Sequence, residues 1–181
     1  MNPAPSAGSS DTSTMSAPDG RKASFAPVIA PHTRVLVLGS LPGERSLAAG
    51  RYYAHPQNRF WHLIGGAIGL ELGPLDYEQR LAALLAAKVG LWDTVASARR
   101  AGSLDAAIRE AEHNPLAGLA ASLPELRAVG FNGQASARIG MPQLAGTGLA
   151  LVPLPSSSPA NAAIPLADKE KLWSRLGEFL R

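Results

Sequence analysis

A chain of 181 residues, 46% hydrophobic and only 17% charged, carries enough apolar surface for one sizeable core, with room for a tail. It has no cysteine, which excludes disulfides, iron–sulfur clusters and thiolate zinc sites, and its four histidines, His32, His55, His62 and His113, show no metal-ligand spacing. No apolar run reaches the length of a membrane span, and the first residues lack the charged-then-apolar order of a secretory leader; a cytoplasmic protein that needs no metal is expected.

The net charge of +3 has an address. Between Arg34 and His62 stand Arg34, Arg45, Arg51 and Arg59 against Glu44 alone, so the rest of the chain sums to zero. A basic segment of this kind suits contact with phosphates, and charge alone fits a solvated arginine-rich loop equally well. Tyr52 and Tyr53 in the same segment favour the first reading, because aromatic faces stack on bases.

In chain order, residues 1–24 are rich in Ser, Pro, Ala and Gly and read as a disordered tail, leaving residues 25–181 as a single domain. Phe25 to Pro31 is an extended lead-in. Val35-Leu36-Val37-Leu38 has the unbroken apolar pattern of a strand buried on both faces. Gly39-Ser40-Leu41-Pro42-Gly43 then turns the chain tightly, and a polar, basic loop leads to His55-Pro56-Gln57-Asn58. Helices are expected from Asn58 or Arg59 to about Leu70, with Phe60, Leu63, Ile64 and Ala67 on one face, and from Tyr77 to Ala87 through Leu81, Leu84 and Leu85. Leu91 to Thr94 is a short buried strand. Ser103 to Glu112 reads as a helix with Ser103 as its cap, and Pro115 to Leu123 as another. Leu126 to Phe131 and Leu149 to Leu154 are strands, separated by a helix from Gln134 to Ile139. The loop Pro155 to Asn161 leads into a terminal helix, Leu166 to Arg181, whose apolar face is Leu172, Trp173, Leu176, Phe179 and Leu180.

Strands alternating with helices predict a parallel α/β fold. The carboxyl ends of its four strands then share one edge, where such sheets place their sites. That edge gathers Gly39-Ser40-Leu41, Asp93-Thr94, Asn132-Gly133 and Pro155 to Ser158. The first turn is neither a dinucleotide fingerprint nor a P-loop, and no G-x-S-x-G turn presents a nucleophilic serine. Asp93 reads as a cap or network aspartate.

Three motifs together carry a family resemblance: Gly39 to Gly43, Tyr53-Ala54-His55-Pro56-Gln57-Asn58-Arg59-Phe60-Trp61, and Leu154 to Asn161. They resemble the uracil-DNA glycosylase superfamily, and within it the hypoxanthine-DNA glycosylase branch, from about Phe25 to Arg181. The resemblance implies a three-layer α/β/α fold around a four-stranded parallel sheet. It also implies an enzyme that flips a deaminated base out of double- or single-stranded DNA and hydrolyses its N-glycosidic bond by water attack at C1′. Two positions depart from the superfamily. Leu41 stands where the mismatch-specific branch has a catalytic Asn, and Leu154 where the second motif begins with His or Asn.

By the same resemblance Asn58 is the catalytic residue, against a plain reading as a helix cap. Gly39, Ser40, Leu41, Pro42, Tyr53 and Asn132 form the base pocket, with Tyr53 stacking on the base. Arg45, Arg51, His55, Ser156, Ser157 and Ser158 meet the DNA; His55 alternatively braces its loop, and the serines form an ordinary Pro-Ser turn. None of Lys22, Lys88, Lys169 and Lys171 falls in a motif loop, so Schiff-base lyase chemistry is not expected. No cofactor, no membrane and a monomer complete the expectation. The alternatives are a uracil- or mismatch-directed glycosylase of the same fold and a damaged-DNA-binding module without catalysis.

Overall fold

The computed structural model describes residues 20–181. Four parallel strands form the centre: β2 (Val35–Gly39), β3 (Val89–Asp93), β6 (Ala128–Asn132) and β7 (Ala150–Leu154), in spatial order β3-β2-β6-β7. Every residue of β2, β3 and β6 is buried, as their unbroken apolar runs require. Side chains alternate across β2. Val35 and Val37 join Leu63 and Ile64 of α2 (Phe60–Ile68), Leu84 of α3 (Tyr77–Ala86) and Trp173 of α6 (Leu166–Ser174). Leu36 and Leu38 join Leu116 of α4 (Leu116–Ala121) and Leu144 of α5 (Gln134–Leu144) on the opposite face. The result is the three-layer α/β/α arrangement with its four-stranded parallel sheet.

Register sets the site. Gly39 pairs with Asp93 on one side, and Asn132 pairs with Leu154 two strands away. Because Leu38 pairs with Phe131, Asn132 stands beside Gly39, and one rung carries Asp93, Gly39, Asn132 and Leu154 at the carboxyl edge.

Four expectations need correction. Residues 44–49 are not loop but a short helix, α1 (Glu44–Ala49). The segment read as a helix from Ser103 to Glu112 holds one 3-10 turn, Asp105–Ala107, and then the strand β5 (Arg109–His113). Ser103 is a cap, but for another helix: its Oγ accepts the N–H of Glu44 at 2.9 Å, at the start of α1. Strand pairing overrides local propensity here, since β5 lies antiparallel to β4 (Val95–Arg99) in a second, small sheet. The third strand of that sheet is β1 (Lys22–Ala23), which falls within the expected tail; residues 1–19 of that tail lie outside the described residues. Last, the terminal helix ends at Ser174 and tightens into a 3-10 turn, Arg175–Phe179. Leu172 is 38% exposed and leaves the apolar face, whereas Trp173 and Leu176 are buried. Among the described residues no helix is long and apolar enough to cross a membrane.

Candidate active site

A cleft of about 710 Å³ opens over the Asp93–Leu154 rung, and all the loops expected there line it. Gly39, Ser40, Leu41, Pro42, Tyr53, Asn58 and Asn132 lie on its walls, with Arg45, His55 and Ser156 to Ser158 around them. Arg51 does not line it; its guanidinium sits over the Tyr77 ring, 5.4 Å from the centroid. A second cleft, of about 640 Å³, lies beside α2 and α6, away from the strand ends, and its histidine, His62, is tied to Glu170 at 2.9 Å.

The turn after β2 is clamped from below. Arg100 is buried and donates from Nη1 to the carbonyl of Leu41 at 3.2 Å and from Nη2 to that of Pro42 at 2.5 Å. Ser40 Oγ donates to Asp105 at 2.5 Å, which ties the same turn to the 3-10 turn. Leu41 is buried against Val95 and Ala98, and Leu154 against the main core. Both line the cleft with an apolar surface where the resemblance leads one to look for a polar group.

Tyr53 is held in a strained backbone state, φ 53°, that non-glycine residues seldom adopt. Three contacts hold it there. Its ring stacks on Phe60 with centroids 3.8 Å apart, its carbonyl accepts from Trp61 Nε1 at 3.2 Å, and its hydroxyl accepts from Asn132 Nδ2 at 3.3 Å. Burial pushes its phenol far above the ordinary range, so it stays neutral. Tyr52 packs into the core behind it, donating to the carbonyl of Ala26 at 3.0 Å.

Asn58 combines the two readings made of it. Its Oδ1 accepts the N–H of Phe60 at 2.9 Å, so it does cap the start of α2. The same side chain lines the cleft, and with its oxygen engaged, the Nδ2 amide is the part left for a ligand. His55 braces its own turn, since its Nδ1 accepts the N–H of Gln57 at 3.1 Å.

The serine loop is built more tightly than a surface turn. Ser157 is 1% exposed and faces inward: its Oγ accepts from Asn132 Nδ2 at 2.9 Å, and its N–H donates to Asn132 Oδ1 at 2.9 Å. The Ser157 hydroxyl is thus turned toward Asn132 rather than outward. Gly133 permits this closeness; it has φ 96°, and a Cβ there would lie 3.3 Å from that of Ser156. Ser156 Oγ accepts from the N–H of Ser158, and Ser158 Oγ from that of Ala160, at 3.1 and 3.2 Å. Lys169, buried on α6, donates to the carbonyls of Ser156 at 2.7 Å and Asn161 at 2.8 Å, and so closes the loop from behind. Burial, then the nearby Arg59 charge, lowers its pKa.

Sequence reasoning missed Arg100, Asp105, Lys169 and the cleft-lining Arg138, each of which looks locally like one more solvated charge. It also passed over Asp93. This carboxyl lines the cleft at 3% exposure, and its Oδ2 is buried with no hydrogen-bond partner. Burial first, and the Asp105 charge second, push its pKa from 3.8 up to about 7, with Arg100 opposing.

With fold and cleft in place, comparison with known proteins is direct. Residues 26–177 match the Uracil DNA glycosylase superfamily. A protein named hypoxanthine DNA glycosylase from Methanosarcina acetivorans is 41% identical over 152 residues, 84% of this chain and 95% of that protein. One of the same name from Methanosarcina barkeri is 42% identical over 141 residues, 78% of this chain and 89% of that protein. The solution NMR structure of a candidate uracil DNA glycosylase from Methanosarcina acetivorans superposes with a TM-score of 0.80 at 38% identity, covering 88% of this chain and 98% of that one. The chain belongs to the uracil DNA glycosylase superfamily.

Proposed function

We infer that this protein is a monofunctional DNA glycosylase that excises hypoxanthine, the deamination product of adenine, by hydrolysing the bond between the base and C1′. The observation that carries the reading is the 41–42% identity, over most of the chain, to two relatives named hypoxanthine DNA glycosylase. The cleft supports it. A base inside a duplex is out of reach, so the nucleotide must be extruded, and 710 Å³ at the sheet edge has room for a purine. Tyr53, packed on Phe60 by one face, supplies a rigid platform for the flipped base. Asn58 directs its amide donor at the base or at the water that attacks C1′. Fixed donors of this kind act where charge develops as the bond breaks, and they need no reorganisation at that moment. Leu41 and Leu154, being apolar, cannot share the task.

Exposed Arg45 and Arg138 at the cleft support phosphate contacts on DNA, with Ser156 and Ser158 nearby. Such a partner supports a cytoplasmic site of action.

The test is a labelled duplex carrying a single deoxyinosine, with uracil and undamaged duplexes beside it. Free hypoxanthine and alkali-labile sites are expected from the inosine duplex. Tight binding without release would leave a damage-binding module, and faster release of uracil would reassign the substrate.

A further inference from the structure

Asp93 has no structural employment that accounts for it. A buried carboxyl oxygen without a partner costs free energy comparable to a lost hydrogen bond or more, and native folds keep such groups rarely. Here the surroundings are arranged to keep it. Asn114 Nδ2 donates to the Asp93 backbone carbonyl at 2.8 Å, and Thr94 N–H to that of Gly39 at 2.8 Å, so the strand end is fixed. The side chain takes the space above Gly39: a Cβ added there would stand 2.6 Å from Asp93 Oδ1 and 3.0 Å from the Tyr53 hydroxyl. The neighbouring polar groups are already committed, Ser40 to Asp105 and Asn132 to Ser157 and Tyr53. What remains is an acid that lines the cleft taking the base, with one of its oxygens buried and without a partner.

We propose, on the reading that the flipped base is hypoxanthine, that Asp93 is a catalytic general acid that hands its proton to a ring nitrogen of the departing purine. In that step the C1′–N9 bond breaks and its electron pair goes to the base. The proton leaves the Asp93 carboxyl for the ring nitrogen, so hypoxanthine departs neutral. Water oxygen bonds to C1′ and gives its proton to solvent, and Asp93 takes one back from solvent before the next turnover.

The groups facing this carboxyl fit the role. Burial disfavours its charged form, and Asp105 adds a like charge that does the same. Arg100 opposes both, but its guanidinium is occupied by the carbonyls of Leu41 and Pro42. Tyr53 and Tyr52 both remain neutral phenols. At the cleft wall Arg138, Arg45, Glu44 and His55 complete the ionisable groups. A carboxyl held to about 7 is protonated in half the molecules at neutral pH, the condition under which a general acid works well.

The experiment is single-turnover release of hypoxanthine from an inosine duplex by saturating enzyme, from pH 5 to 9, with the wild type, Asp93→Asn and Asp105→Asn. The wild-type rate should fall about tenfold per pH unit above about 7. Asp93→Asn should bind the duplex as before, release base ~100-fold more slowly or worse at pH 6, and show no fall with pH. Asp105→Asn removes the like charge and should move the wild-type fall to lower pH, a shift that a structural or base-reading role for Asp93 does not produce. A wild-type rate flat from pH 5 to 9, or an Asp93→Asn rate within threefold of wild type at pH 6, overturns the proposal while leaving hypoxanthine release standing. Should the wild type release no hypoxanthine at any pH, the functional reading falls, and this proposal with it.

Discussion

Asn132 and Asp93 flank Gly39 on one rung of the sheet, at the same height in the same cleft, and they are built in opposite ways. Every polar atom of the Asn132 side chain is engaged: Nδ2 donates to Ser157 Oγ and the Tyr53 hydroxyl, and Oδ1 accepts from the Ser157 N–H. Asp93, as deeply buried, keeps an oxygen with no partner. A fully engaged amide fixes shape; it holds the serine loop and the Tyr53 platform against each other. An unengaged acid is a cost the fold carries unless a ligand uses it. Committed groups set the walls of the site, and uncommitted groups meet the substrate.

Asn58 divides along that line within one side chain, and it gives the largest expected effect. Its oxygen caps α2, and the side chain as a whole lines the cleft, leaving the amide nitrogen for substrate. Losing one preorganised donor costs ~100- to 1000-fold in the chemical step. Asn58→Ala should lose that much in single-turnover excision, and about 1 kcal/mol of stability with the cap. Asn58→Asp keeps the cap oxygen and removes only the donor, so it should melt like wild type yet excise almost as poorly as Asn58→Ala. An Asn58→Asp protein with near-normal excision would mean that the committed oxygen, or capping alone, is what matters.

At Asn132 the effect should fall on stability first. Removing its amide strands the Ser157 N–H, which is buried, at a cost of about 1–3 kcal/mol. Asn132→Ala should melt lower by about 2–4 °C per kcal/mol lost. Excision should suffer only as far as the loop and Tyr53 shift. A protein that kept its melting temperature but lost all excision would place Asn132 among the groups that meet substrate.

Asp93 should respond to substitution in the reverse sense. Its pKa is 3.8 unperturbed and about 7 in the fold, a raised value, so the stability tied to its neutral form is whole below about 3.8 and is lost as pH rises through about 7. Asn stays neutral at every pH. Asp93→Asn should therefore match the wild type in strong acid and melt increasingly above it as pH rises to 8, where the wild type carries a buried carboxylate. Paired melting curves at pH 5 and 8 read this directly, and equal gaps at the two pH values would mean that Asp93 does not titrate in this range.

The same division explains what the sequence disclosed. Periodicity reports burial, so the four central strands and the faces of α2 and α3 were legible from Val35-Leu36-Val37-Leu38 and from Phe60, Leu63 and Ile64. The motif loops were legible through their resemblance to the superfamily, and the sheet brings Gly39, Tyr53 and Asn58 together. Partnership between distant residues leaves no such trace. Ser103 looked like a cap and is one, yet its helix begins 59 residues earlier. The strand Arg109–His113 exists through pairing with β4, and Arg109-Glu110-Ala111-Glu112 offers little of its own to bury. Arg100 and Lys169 read as surface charges until the carbonyls they clamp come into view.

The smallest effect separates two arginines that the sequence treated alike. Arg45 is exposed on α1 and lines the cleft, whereas Arg51 lies outside it, its guanidinium over the Tyr77 ring at 5.4 Å. The Tyr77 hydroxyl in turn accepts the Tyr52 N–H at 3.0 Å, so Arg51 belongs to the packing behind the cleft. A contact between a cation and an aromatic face at an exposed site contributes about 0.5–1 kcal/mol, enough to bias the side chain toward that ring. Each phosphate neutralised by a protein cation steepens the fall of log affinity with log salt by roughly one unit. Arg45→Ala should therefore lower the slope for an inosine duplex by about one, with a small loss of affinity at low salt. Arg51→Ala should leave the slope unchanged and melt slightly lower. Titrations of both variants from 50 to 200 mM salt, a range of about fourfold, resolve a change of this size. Equal losses of slope would show that Arg51 leaves Tyr77 for the DNA, and would make the ring a resting place for a cation that phosphate draws away.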